Sequence, residues 1–507
     1  MNEMVDRISG SNTGLAIAVE ESANTLPTTP KWFAKEPNTY SATGSTVKTA
    51  PRNFINAGKK IQKGPVVDKD SQFGYNEDLT FDNAQLELEA FLLADARETA
   101  STQPLNGTAV TITGVVASSD TYTAASGLGV FAANDLVLGE NFTNSANNGL
   151  QLVSSAGATG VVVGDGLVDE TPGATAKLTV VGYQFDTAEL DVVASADKVT
   201  FTCSSTDPTD LDINVGQWVY INGDSAGTAL VSNGGYARIS EINTDSFVSD
   251  ECTWTPVNET GTGLTVQMFF GPMIRDEAAA LIVERYIQAE RTLGEDDDGT
   301  QSQYLTGGVP VEWKLNLPLA DKITKDVSFI ALSEETRDGS TGVKTGTRVS
   351  APVDDGYNTS SHIYRKKLFV IDPTTINNTA LFARLMDGSI SVNVGGKAEK
   401  EIGTIGGFAG ITGNIDVKVN MNAYFATVDA QSAITAGSDV GFNIQIANDN
   451  KGITFDVPLI GIGGGQLDVQ TNESIKLPLD CQAGVCANGY TMSASYFPYL
   501  PTVAMPA

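Results

Sequence analysis

The residues able to do chemistry are few, and their spacing does not suit it. His362 is the only histidine in 507 residues and stands in a polar run between Ser361 and Ile363. A Ser-His-Asp or Cys-His site would have to use it, so a loop position is its expected role. The four cysteines, Cys203, Cys252, Cys481 and Cys486, match neither a disulfide framework nor a zinc pattern. They read as reduced, small apolar side chains. Glu295–Gly299 (EDDDG) has the charge for calcium without the alternating ligand spacing. Asp68 and Asp70 alternate once around Lys69, but Phe73 stands where the tight-turn glycine would be, and no glutamate closes the loop. The glycine run Gly461–Gly465 is followed by no helical pattern, which removes a phosphate cradle. No catalytic residues, no metal and no cofactor are expected.

What remains is a cluster of lysines, Lys59, Lys60 and Lys63, too small for a nucleic-acid site and close in sequence to Asp68 and Asp70. These charges fall in a polar stretch, Gly58–Asp70, between a strand-like run at Asn53–Ala57 and a second strand alternating in Phe73, Tyr75, Glu77, Leu79 and Phe81. Asp82, three residues before Gln85, reads as the N-cap of a helix with Leu86, Ala90, Phe91 and Ala94 on one face. Hairpin loops usually run about two to five residues, and a longer exposed loop is usually functional or disordered. Lys59, Lys60, Lys63, Asp68 and Asp70 are therefore the candidate contacts to a neighbouring, acidic subunit.

Composition sets the frame around that hairpin. Sixty-one acidic residues against 31 basic give a net charge of −30, which opposes tight nucleic-acid binding because that depends on neutralising phosphates. The charge serves solubility, or a surface that DNA slides past without sticking. Only 18% of residues are charged, and 51 are glycine. Many short strands separated by Gly, Asn, Asp and Thr point to an all-β protein with short flanking helices. The first twenty residues show no export signal, and no run approaches a membrane span.

Along the chain, Met1–Pro30 reads as a flexible arm. Residues 31–104 and 271–336 form a first domain interrupted by two small β-modules, 105–187 and 188–270. These modules share a weak repeat: Asn134–Val137, Asn147–Leu150 and Leu152–Ser155 are echoed by Gly216–Val219, Asn233–Tyr236 and Ile239–Glu241. The modules are expected to project outward and to be dispensable. A strand is expected over Leu281–Ile287, and two more in Thr306–Leu332, where Val309, Val311, Trp313, Leu315 and Leu317 share a face at period two. Residues 337–362 read as a linker and 363–507 as a second domain. Its inward candidates are Ile415, Val417, Val419, Met421 and Ala423, and a short helix is expected at Asp429–Ile434.

Several of these segments resemble tail tube proteins of long-tailed bacteriophages. The resemblance lies in EPNTY at Glu36–Tyr40, Arg52, the Lys-Gly-Pro loop at Lys63–Pro65, and the Asn76–Phe81 strand with its helix. It extends to the Gly-Gly-Val strand pair in Thr306–Leu332 and to GITFDVPLIGIGGG from Gly452. It covers the outer parts of the chain and not the middle. It implies two tube-type β-sandwich, barrel-forming domains and homotrimeric rings of pseudo-sixfold symmetry, stacked into a conduit for genome ejection. The implied partners are further copies of this chain and the tape measure, tail tip and terminator proteins. Phage DNA would pass through without specific binding, and the chain would not insert in a membrane. The implied location is the virion tail, with assembly in the bacterial cytoplasm. A surface adhesin or carbohydrate-binding β-protein, using the inserted modules as binders, is the alternative.

Overall fold

The computed structural model describes residues 13–52, 54–55, 61–96, 109–164, 166–296, 299–352, 354–372, 374–376, 380–382, 384–425 and 427–506. Strands dominate; the α-helices among these residues are α1 (Gln85–Phe91) and α2 (Val428–Ala436). The chain divides into two compact units. One holds Met1–Ala94, Asp276–Thr359 and Met386–Asn422; the other holds Asp95–Arg275, Ser360–Leu385 and Ala423–Ala507.

The first unit is organised by one long strand, Gly299–Leu317. Its first half lies between Tyr286–Asp296 and Ser333–Arg337, and its second half between Thr324–Ala331 and Leu385–Asn393. The register slips between Pro310 and Glu312, which leaves Val311 only partly buried while Val309, Trp313, Leu315 and Leu317 face the core. Such a bulge breaks strict period two. Outward from Tyr286–Asp296 come Gly14–Glu20, Lys31–Lys35 and, in parallel, Thr347–Val349. Outward from Thr324–Ala331 come Val66–Asp78 and Pro37–Thr49. Phe73 stacks on Phe329 with ring centroids 4.6 Å apart, and Phe91 of α1 packs on the same ring at 5.2 Å.

Thr324–Ala331 alternates cleanly between half-buried and buried positions, which puts Lys325 on the core side with Val327 and Phe329. A buried ammonium is tolerated only when paired and hydrogen-bonded. Here Lys325 meets Glu77 at 2.8 Å and Glu87 of α1, while Lys35 donates to Glu87 at 2.7 Å and the Tyr75 hydroxyl donates to it at 2.6 Å. Burial alone would raise the Glu87 carboxyl; the Lys325 and Lys35 ammoniums beside it hold it down at about 2. This charged cluster pins a helix of only seven residues, too short to hold itself by propensity.

Several expectations are corrected in this unit. Gly14–Glu20, placed by sequence in a flexible arm, is a strand with Leu15, Ala16, Ile17 and Ala18 buried. Its apolar run is short and its main partner lies more than 250 residues away, so local pattern alone conceals it. The helix begins after Ala84, with no side-chain cap. The turn is held instead by Asn83, which accepts from Thr80 N–H and donates to the Asp78 carbonyl. The strand expected over Leu281–Ile287 starts only at Tyr286, after a single 3-10 turn at Ala279–Leu281. The expected linker contains the Thr347–Val349 strand, and Met386–Asn422 joins this unit because Leu385–Asn393 pairs with Glu312–Leu317.

In the second unit, two sets of six strands share one order. Gly114–Val116 pairs with Thr121–Thr123, which pairs with Gly160–Val163, then Gly149–Gly157, Asp135–Glu140 and Lys177–Gln184. The same sequence of neighbours runs from Leu190–Ala194 through Val199–Cys203, Ser246–Cys252, Gly235–Asn243 and Trp218–Ile221 to Gln267–Phe269. The last strands of the two sets pair with each other, Gly182 opposite Phe269 and Gln184 opposite Gln267. Each set has its own apolar core. A third core joins them to the C-terminal strands: Val181, Trp218, Tyr236 and Phe269 pack with Phe497, Leu500 and Ala504. The modules are therefore built into this unit rather than hung from it, contrary to the expectation of a dispensable decoration.

The rest of the second unit is a sheet in which Ile363–Val370, Asp439–Asn448, Lys451–Gly461, Ser493–Phe497 and Met273–Arg275 follow one another. Buried positions are almost continuous along Asp439–Asn448 and Lys451–Gly461, the mark of strands covered on both faces.

Candidate functional site: a hairpin that outruns its sheet

Pro37–Thr49 and Val66–Asp78 are each thirteen residues long, roughly 43 Å at strand rise. They pair from Pro37 opposite Glu77 to Thr49 opposite Val66. The neighbouring strand Thr324–Ala331 accompanies them only from Asp78 to Ser71. Beyond Ser71 the hairpin continues as a two-stranded ribbon, closed by Ala50 N–H on the Pro65 carbonyl and by an isolated bridge from Arg52 to Gln62. Pro37–Thr49 carries few apolar side chains, so its strand identity comes from its partner and not from an alternating pattern. For that reason the sequence placed the first strand at Asn53–Ala57; there Phe54 and Ile55 have no regular structure, and Asn53, Asn56 and Ala57 lie outside the described residues.

Of the candidate contacts, Lys63 is exposed on the ribbon's end, and Lys59 and Lys60 lie outside the described residues. Asp68 and Asp70 are not in the loop; they sit in the Val66–Asp78 strand and are paired within the chain. Lys48 reaches Asp68 at 3.2 Å and Asp70 at 2.5 Å, and Lys400 grips Asp68 at 2.7 Å as well as Asp70. Hydrogen bonds from Lys400 draw the Asp68 carboxyl down to about 2. Both carboxylates are thus paired within the chain, in a clamp with Lys48 and Lys400.

Lys400 belongs to a second exposed segment, the loop between the paired strands Lys397–Glu399 and Ala409–Ile411. Gly407 N–H donates to the Leu332 carbonyl at the loop's base. The clamp therefore ties loop and ribbon together, and both present apolar side chains to solvent. Ile55 and Ile402 are fully exposed, Ile61 is 71% exposed, and Phe54, Ile405 and Phe408 are about half exposed. Scattered exposed apolar residues are ordinary; these six lie on two segments that the clamp joins. Sequence reasoning saw the lysines of this site and missed its apolar side and Lys400, because nothing local links Lys400 to a strand more than 300 residues away.

Burial pushes the Cys203 and Cys252 thiols up to about 12 and that of Cys481 to about 11, which makes them poor nucleophiles. The His362 carbonyl accepts from Ala447 N–H at the start of a strand. Among the described residues, no cluster of His, Cys, Asp and Glu is arranged to hold a metal ion, and no helix is long and apolar enough to cross a membrane. Compared with known protein families and with curated proteins, the chain matches none.

Proposed function

We propose that this chain is a structural subunit that polymerises into the tail tube of a long-tailed bacteriophage, with the ribbon and its lysine-rich loop making the contact between successive rings. The observation that carries this reading is the ribbon itself. A two-stranded hairpin is marginally stable alone, yet this one extends past its sheet and ends in exposed Phe54, Ile55 and Ile61. A second surface covering it would remove that apolar area from water. The motif resemblance supports the same reading, and so does a sequence poor in catalytic candidates.

On this reading function is geometry and charge, with no turnover. The net charge of −30 suits a conduit that DNA traverses without sticking. Homotrimeric rings remain part of the proposal through the resemblance. Negative-stain electron microscopy of purified, concentrated protein tests it. Hollow tubes or stacked rings are expected; monodisperse single chains at every concentration and salt condition would refute it.

A further inference from the structure

The second unit contains a pocket of about 530 Å³ between module strands and the C-terminal sheet, within the size range of ligand sites. Six carboxylates line it, those of Asp197, Glu241, Asp250, Glu251, Asp372 and Asp439, against the cations Lys198 and Arg238. Phe369, Pro458 and Leu459 supply apolar wall. Arg238 is already committed to Asp250 at 2.8 Å and to Asp456 at 3.1 Å. Two atoms of wall residues are buried and unsatisfied, the Tyr490 hydroxyl and Glu251 Oε2, while the other Glu251 oxygen already holds Lys367 at 2.8 Å and Arg365 at 3.5 Å. Both can accept a hydrogen bond, and an unsatisfied buried acceptor is costly until a donor arrives. The pocket thus asks for a cation with several N–H donors on an apolar stem, which describes lysine and arginine side chains.

We infer that this pocket is the socket for the Ala50–Pro65 loop of a second copy of the chain. The inference rests on the reading of that loop as an assembly contact. Ala50–Pro65 carries Arg52, Lys59, Lys60 and Lys63 and no carboxylate, in a chain that is otherwise strongly acidic. Its exposed Phe54, Ile55 and Ile61 match the pocket's apolar wall. Loop and socket are different surfaces, so each copy would offer one and receive the other. A heterologous contact of that kind propagates instead of closing into a dimer, which is what an extending polymer requires.

Two arms test this. In the first, K59E/K60E/K63E and a pocket variant, D197K/E241K/D439K, are assembled separately and mixed. The three pocket positions are solvent-exposed, so the fold should survive, checked by circular dichroism. Each variant alone should raise the critical concentration for assembly roughly tenfold or more, and the mixture should recover it, because each then complements the other. A folded pocket variant that assembles like the parent, or a mixture that stays unassembled, overturns the socket. If only the loop variant fails to assemble, the loop is a contact and the socket is wrong. If both variants assemble like the parent, the loop reading falls as well. The second arm does not depend on the pocket variant folding. Ile55→Cys in the loop, treated with a bismaleimide, should give covalent multimers through Cys486, which lines the pocket while the other three cysteines are buried. Loss of those multimers in I55C/C486S supports the socket; their persistence overturns it.

Discussion

Asn147 and Asn233 stand in the same place in two copies of one fold. Each offers its amide oxygen to a valine N–H, that of Val168 at 2.9 Å or Val257 at 3.0 Å. Each amide nitrogen donates to the same valine's carbonyl and to the glutamate two residues on, Glu170 at 2.7 Å or Glu259 at 2.6 Å. Both glutamates also accept backbone N–H groups from the turn before the asparagine, and both bridge to a strand of their module, at Val115 and Val192. The repeat is therefore one of polar architecture as well as strand order.

The two asparagines should accordingly behave alike. N147A removes a buried amide making three hydrogen bonds, and N233A one making four, the extra donated by Trp254 Nε1–H at 3.2 Å; each strands the groups it served, a loss of about 2 to 4 kcal/mol. Urea unfolding of each variant gives the comparison. A large loss in one and none in the other would refute the equivalence.

The clamp on the ribbon should open in acid. Asp68 titrates at about 2 in the fold against an ordinary 3.8, so the folded state binds its proton less readily than the unfolded chain. Its contribution is present above pH ~4 and is lost as pH falls towards 2. Hydrogen exchange of Thr46–Thr49 and Val66–Asp70 amides should quicken over that window. K400A should quicken it already at neutral pH, and amides indifferent to K400A would rule out the clamp.

The charged cluster under α1 is predicted to be intolerant of losing one member. E87A leaves Lys35 and Lys325 buried with Glu77 as the one carboxylate between two ammoniums, which should cost about 3 to 5 kcal/mol in denaturant unfolding. Adding K325M should recover part of that loss, because one of the stranded ammoniums goes too. A double variant no more stable than E87A would mean the charges are not coupled.

Replacing residues 109–269 with a Gly/Ser linker should leave an insoluble or molten chain. The replacement uncovers Phe497, Leu500, Tyr364 and Tyr499, which the modules cover in the shared core. Expression of the shortened chain with light scattering and near-UV circular dichroism decides it. A soluble product with native near-UV signal would restore the modules to the status of ornaments.

What the sequence disclosed and what it hid divide along physical lines. Period two was readable wherever one face is buried, as in Phe73, Tyr75, Glu77 and Leu79, all of them buried. The short helix near Asp429–Ile434 was readable from local preference and spans Val428–Ala436. The module repeat was readable because its turns need Asn at fixed places. Pro37–Thr49 was hidden because its side chains are mostly exposed and its order is borrowed from pairing. The clamp and the charged cluster were hidden because each joins residues far apart in sequence, and an ionisable residue on a strand looks solvated until its partners are known.

Gly14–Glu20 carries a consequence for synthesis. One of its edges can pair early, with Lys31–Lys35, but the other waits for Tyr286–Asp296. At about 5 to 20 residues per second, those 250-odd residues take roughly 12 to 50 s to emerge from a ribosome. Throughout that interval the run Leu15–Val19 holds an open, apolar strand edge on a nascent chain, next to identical edges on neighbouring ribosomes of the same message. Codon choice between Lys35 and Tyr286, and chaperone capture of the emerging N-terminal strand, would then govern how much chain ever reaches the folded state.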